Sequence, residues 1–237
     1  MTLTPLRLLG SFYASSVGKK ILVAFTALIL LGFLPAHAIG NLLIFAGPDA
    51  LNEYAHFLHT FGHGAGIWVF RAVMLAAIAI HIVATIQLKL ENRAARAEAY
   101  AVKTHQKSTL ASRTMVISGL IILCFVIYHL LHFTVRTEGV VPTYSPATVP
   151  VDGKDFNNAR AMVIAGFQYW PASFFYLVGL TLLCTHLTHG VASVFQTLGL
   201  RTRKTADLIW LLGTAYSFAV WVAFLATPVA VLTGLVK

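Results

Sequence analysis

Four histidines sit where water does not reach. His37, His81, His129 and His186 each interrupt a long apolar run. The run from Leu177 to Gly199, LVGLTLLCTHLTHGVASVFQTLG, carries no carboxylate and no ammonium. An imidazole inside a hydrocarbon-embedded helix is costly without a partner, so its presence points to function. Neutral imidazole can ligate a metal ion or relay a proton. Which of these it does depends on how many imidazoles meet, and at what depth.

The elements that position them follow from composition. Hydrophobic residues make up 58% of the chain and charged residues 11%, where soluble domains run nearer a quarter charged. The fold class expected is all-α: a polytopic membrane protein, one domain over residues 1–237, with five transmembrane helices in a bundle. The spans fall at about 20–46, 67–90, 112–135, 170–198 and 206–235, each long enough for a bilayer core. Pro35 predicts a kink in the first. Residues 1–18 form an amphipathic lead-in at the interface, and 47–66 a polar loop holding a short amphipathic piece. The longest excursion from the membrane, an outer loop over 136–169, is rich in Pro, Gly and Asp. No internal repeat is evident. A span this long after Lys19 and Lys20 is not a cleavable signal peptide. Cys124 and Cys184 stand alone in their spans and read as packing residues, not as a zinc knuckle or a covalent haem site.

The net charge of +9 reads as membrane orientation, with no nucleic-acid partner. With the N-terminus inside, the inner segments hold Arg7, Lys19, Lys20, Lys89, Arg93, Arg96, Lys103, Lys107, Arg113, Arg201, Arg203 and Lys204. The outer side keeps Arg71, Arg136, Lys154, Arg160 and Lys237. That asymmetry predicts a cytoplasmic N-terminus.

Depth then sorts the histidines. At a rise of about 1.5 Å per residue, His37 lies roughly 25 Å from Lys20 and His129 roughly 24 Å from Arg113, both toward the outer face. The second and fourth spans run the other way. His81, roughly 20 Å from Trp68, and His186, roughly 24 Å from Trp170, lie toward the cytoplasm. The four make two pairs, on the order of 15 Å apart in height. His132 and His189 lie one turn nearer their exit faces, so His129 and His186 match the levels better. Each alternative shares a face with its neighbour at i+3, so level alone makes the choice.

Two facing imidazoles can bind iron from both sides while a macrocycle fills the bundle core, so each layer suits one haem. Zinc would take three or four ligands at one level, preferably with a carboxylate or thiolate. None of the four histidine-bearing spans has a carboxylate. Gly40, three after His37, and Gly190, four after His186, leave room for a flat ring. Two axial imidazoles close the iron to other ligands, which argues for electron transfer. A lipid-soluble quinone is the natural partner at one membrane face, and a soluble redox protein at the basic cytoplasmic face.

The runs HAIGNLLIF, NEYAHFLH, NRAAR, KSTLASRTM and HLTHGVASVFQTLG closely resemble the five-helix dihaem cytochrome b subunit (b558 type) of succinate dehydrogenase and fumarate reductase. The resemblance spans nearly all of the chain. It implies a membrane anchor in the bacterial inner membrane, among its lipids, carrying an iron–sulfur subunit and an FAD flavoprotein on the cytoplasmic side. Electrons would pass between succinate or fumarate and a quinone through two non-covalent haem b groups. The resemblance also implies axial ligands at His37 with His129 for the outer haem and His81 with His186 for the cytoplasmic-side haem, agreeing with the depth arithmetic. It favours menaquinone over ubiquinone or another quinone, and it admits a higher oligomer of the complex.

Around the haems, His132 and His189 are near-haem polar groups, and Ser112, Arg113 and Gln196 contact propionates or anchor the interface. Quinone and proton chemistry needs hydrogen-bonding groups beside a haem. The outer loop offers Glu53, Tyr54, His56, His59 and His63. Some dihaem relatives keep an acidic residue on the fourth helix where Cys184 stands, so a carboxylate proton route through this bundle is not expected. Quinone near the outer haem, exchanging protons with the outside, is the reading adopted. The alternatives are a cytochrome b subunit of a hydrogenase or formate dehydrogenase, whose soluble partner sits outside, a histidine-lined transporter, and an anchor that has lost its haems. The chain has no dinucleotide-binding glycine motif, so dicarboxylate oxidation belongs to a partner and any enzymatic role to a complex.

Overall fold

The first long helix begins at a serine cap. The Ser15 hydroxyl accepts from the Gly18 amide at 2.9 Å, satisfying one of the free amides of the first turn. In the computed structural model, which describes residues 4–95, 110–137, 139, 148–151 and 153–237, a short helix α1 (Pro5–Ala14) precedes that cap and α2 (Ser16–Leu42) follows it. Then come α3 (Ala50–Thr60), α4 (Ala65–Ala94), α5 (Leu110–His129), α6 (Ala159–Gln168), α7 (Trp170–Thr197) and α8 (Ala206–Leu232). Five of these, α2, α4, α5, α7 and α8, are long and apolar enough to cross a bilayer. The protein is therefore an all-α, multi-pass membrane protein. Its outward side chains agree: Phe25, Ile117, Trp68 and Phe174 are each about three-fifths exposed or more, a surface that suits lipid and not water.

Pro35 lies inside α2 and does not end it. A proline cannot donate to the carbonyl four residues back, here Leu31. The Tyr216 hydroxyl of α8 donates to that carbonyl at 2.5 Å, so the freed acceptor is satisfied by a neighbouring helix. Tyr216→Phe keeps the ring and strands the acceptor. It is expected to cost about 1–3 kcal/mol, read as a lower unfolding midpoint in detergent, with Tyr216→Trp failing to restore it.

The ends of the bundle are tied separately. At the N-terminal face, Lys19 Nζ pairs with Glu91 Oε1 at 2.6 Å and Tyr13 donates to Gln87 at 2.7 Å, joining α1 and α2 to the end of α4. At the far face, Arg160 donates to the Ile44 carbonyl at 2.7 Å and to the Lys237 carbonyl at 3.4 Å. Its backbone amide donates to the buried Asn52 side chain at 3.0 Å.

The far face is more built than a polar loop. The outer loop expected over 136–169 contains an antiparallel hairpin, β1 (Thr148–Val151) with β2 (Lys154–Asn157), in which Val149 faces Phe156. They also contain α6, capped by Asn158, whose side chain accepts from Ala161 at 2.8 Å. The turn from α3 to α4 runs through Gly62, His63 and Gly64, all at positive φ. Arg96, Lys103 and Lys107, used for orientation, lie outside the described residues.

The packing pattern positions the site. α7 packs on α8, α2 on α4, and α5 on α7, with α2 also touching α7 and α8. The helices whose histidines pair by level, α2 with α5 and α4 with α7, make at most marginal backbone contact. α2 and α5 meet instead through side chains, at His37 and His129.

Candidate functional site

The far level assembles around His37 and His129. Their ring centres are 5.8 Å apart. A metal–imidazole bond of about 2 Å, plus roughly 1 Å from nitrogen to ring centre, would set two rings on one ion about 6 Å apart. Phe33 stacks on His37 at 5.0 Å, and Phe224 of α8 tilts against it at 5.6 Å. The Tyr176 hydroxyl of α7 reaches Nδ1 of His129 at 3.2 Å. At the near level, His81 and His186 each meet a hydroxyl of a neighbouring helix, Thr26 at 3.2 Å and Ser118 at 3.1 Å.

The hydroxyls decide which nitrogen each near-level ring presents. Thr26 Oγ1 contacts Nδ1 of His81 at 3.2 Å while donating its single proton to the carbonyls of Leu22 and Val23. With that proton on the carbonyls, what it turns toward His81 is a lone pair, a geometry that favours the His81 proton on Nδ1 and a free Nε2. Ser118 repeats this at His186: it donates to the Met115 carbonyl and meets Nδ1 at 3.1 Å. An Nδ1–H held by oxygen with Nε2 unprotonated is the arrangement of a metal-bound histidine. Among the described residues no three of His, Cys, Asp and Glu cluster to hold a metal. Each level thus holds two imidazoles, the donor number that suits iron in a macrocycle.

Contacts also measure the separation of the levels. Along α2, Thr26 touches His81 and His37 touches His129, eleven residues further on. Along α5, Ser118 and His129 are again eleven apart. Both give about 16 Å, against the 15 Å expected.

The other candidates divide. His132 is buried and shares the Tyr176 hydroxyl with His129, at 3.1 Å. His189 lies one turn past His186 on α7. A methyl added at Gly190 would meet no protein atom within 4 Å, whereas one at Gly40 would fall 2.7 Å from the ring of Tyr54. The flat ring against Gly40 is therefore a tyrosine of the far-face helix α3. Gln196 accepts from Arg201 at 3.1 Å at the near end of α7; Ser112 and Arg113 lie at the near end of α5. The five far-face residues do not converge. Tyr54 points into the bundle, His56 and His59 meet Phe156 of the hairpin at 5.0 and 5.5 Å, and Glu53 and His63 are exposed.

Thr26, Ser118 and Tyr176 were not nominated from the sequence, though a signal for them exists. Each stands ten or eleven residues before the histidine of its own helix and serves a histidine of the neighbouring one. α4 completes the pattern with Phe70, eleven before His81, tilted against Phe33 at 5.5 Å.

Comparison with known proteins then adds a family. The sequence profile of the group described as succinate dehydrogenase/fumarate reductase transmembrane subunit matches residues 89–230, more than half of the chain. No curated protein and no solved structure matches it.

Proposed function

The chain belongs to the succinate dehydrogenase/fumarate reductase transmembrane subunit family, and from that premise we propose that it is the cytochrome b anchor of such a complex, carrying electrons between a cytoplasmic iron–sulfur subunit and a membrane quinone. The observation that carries the reading is the pair of imidazole levels. Each holds two histidines, and three of the four have Nδ1 engaged by a hydroxyl. Haem b, held between His37 and His129 and between His81 and His186, would supply one-electron chemistry. The remaining work is done by the chain: it orients the rings, excludes water, and spaces the levels by about 16 Å so that they link the two faces.

The N-terminal face takes the cytoplasmic side in this proposal, on the strength of its basic residues. The partner flavoprotein and iron–sulfur subunits dock there, in a bacterial plasma membrane. Quinone, of the menaquinone kind, binds at the far level. Tyr54, with its ring against Gly40 one turn from His37, is the hydrogen-bonding side chain best placed to meet it. Protons then exchange with the far side. A complex with quinone bound only beside His81 and His186 would remove this part of the proposal. Membership of the family disfavours the hydrogenase, formate dehydrogenase and transporter readings.

The deciding experiment is purification of the tagged chain from its membrane, with subunit identification and a reduced-minus-oxidised spectrum. Two haem b per chain, with a flavoprotein and an iron–sulfur protein, is the expected result. A chain that purifies without haem b absorbance overturns the proposal. A finer check uses Thr26. Thr26→Val removes the acceptor for His81 Nδ1–H and is expected to weaken haem retention at the near level about 10- to 100-fold. Thr26→Ser should retain it, measured as haem content after extended detergent washing.

A further inference from the structure

The Tyr176 hydroxyl contacts two imidazoles through the same kind of atom: Nδ1 of His129 at 3.2 Å and Nδ1 of His132 at 3.1 Å. A phenol has one proton to donate and lone pairs with which to accept. Accepting from both rings would leave the buried phenolic proton with no acceptor, so Tyr176 donates to one ring and accepts from the other. The two histidines must therefore hold opposite tautomers. Tyr176 and His132 are both buried, so no solvent arrangement relaxes the requirement.

Resting on the haem reading above, we propose that Tyr176 and His132 are positioning residues for His129: His132 accepts the phenolic hydrogen bond, and His129 is thereby held with its own proton on Nδ1 and its Nε2 lone pair toward His37. The geometry gives each member its place. His132 is pinned by a parallel stack on Phe133, with ring centres 3.8 Å apart. Its Nε2 is set against Gly166 of α6, where a Cβ would come within 2.6 Å. Tyr176 is locked edge-on by Phe125 at 5.2 Å and Phe167 at 5.0 Å. The near-level hydroxyls send their protons to backbone carbonyls of their own helices. A tyrosine at the end of a rigid ring has no such carbonyl to use, and His132 replaces it. A buried histidine that binds no metal thus acquires a function.

The test is a redox titration of the two haems in the purified complex, the far-level haem being the one lost in His37→Leu. An Nδ1–H donated to oxygen makes the ligand more basic and favours ferric iron. Tyr176→Phe should lower that preference about tenfold, read as an upward shift of about 59 mV in the far-level haem alone. His132→Leu should act in the same direction. His132→Gln, whose amide oxygen can accept the phenolic proton, should stay near wild type. Nitrogen-15 shifts of the labelled imidazoles should report His129 and His132 in opposite tautomers, in the reduced complex and equally in a haem-free chain. Equal tautomers overturn the proposal. So does an unchanged potential in Tyr176→Phe, an equal shift of both haems, or a His132→Gln variant that behaves like His132→Leu. A wild-type chain without haem would fail the cytochrome reading instead, and the tautomer measurement would still decide this one.

Discussion

His37→Leu and His129→Leu are expected to remove one and the same haem, and His81→Leu and His186→Leu the other. Each single variant should keep half the haem b absorbance. Quinone-linked turnover should fall by more than the 10- to 100-fold typical for loss of an outer-shell partner, because a ligand itself is gone. Dye-linked succinate oxidation by the same complex should persist, since the dicarboxylate chemistry lies outside this chain. Leucine leaves apolar surface in an apolar setting, so the losses should not come from unfolding. Pairing makes the prediction sharper. Combining His37→Leu with His129→Leu should cost no more than either alone, as expected for residues acting as a unit. Combining His37→Leu with His186→Leu should leave a colourless protein. His132→Leu and His189→Leu should retain both haems, which separates each ligand from the neighbour one turn away. If His37→Leu and His81→Leu removed the same haem, the arrangement by level would be wrong.

Much of this could be read before any coordinates. The five spans were legible because apolar runs of bilayer length leave the chain few alternatives. The pairing of His37 with His129 was legible because rise per residue converts sequence distance into depth. Helix ends were less so: α4 begins at Ala65 and runs to Ala94, past both ends of the span expected at about 67–90. The hairpin and α6 were hidden in a Pro- and Gly-rich stretch, since two four-residue strands carry too little periodicity to declare themselves. Tyr54 and Gly40 stand on different elements, and nothing local to either announces that one ring fills the other's missing side chain. The hydroxyl partners were missed for a related reason. Serine and threonine in an apolar helix most often bond back to their own carbonyls, as Thr26 and Ser118 do. Their second contact, to an imidazole, needs the neighbouring helix.

The contacts also uncover a repeat that residue identity conceals. The hairpin α2–α4 and the hairpin α5–α7 each give a hydroxyl and a histidine on one helix, Thr26 with His37 and Ser118 with His129. Each gives an aromatic ring and a histidine on the other, Phe70 with His81 and Tyr176 with His186. The halves differ in one hydrogen-bonding group: Tyr176 has the hydroxyl that Phe70 lacks. The far level is therefore asymmetric, with a hydroxyl partner for His129 and an aromatic stack for His37. On the dihaem reading proposed above, two levels built on one plan would differ in the basicity they impose on their ligands and so set the two haems apart in potential.

Gly179→Val should be the most damaging substitution that touches no histidine. Small residues let helices approach closely in a membrane, and here α5 presses the ring of Phe125 onto Gly179 of α7, nearer than any Cβ would allow. Overpacking of this kind costs about 1–3 kcal/mol, and the upper end applies because the obstructing atoms belong to a rigid ring. Phe125 has nowhere to go. It is buried, with Phe175 at 6.0 Å, Tyr176 at 5.2 Å and His129 at 6.3 Å around it. Relief must come from parting α5 and α7 or from turning Phe125 toward His129, and either route disturbs the far level first. The variant should therefore unfold at lower temperature and lose the His37/His129 haem while retaining the near-level one. Gly179→Ala should be intermediate, and adding Phe125→Leu to it should recover both midpoint and haem. Gly32→Ala, where a methyl meets nothing within 4 Å, should be neutral or slightly stabilising, as expected for alanine in a helix. If Gly179→Val lost both haems together, or if Phe125→Leu gave no recovery, the α5–α7 contact would not be what holds the far level in register.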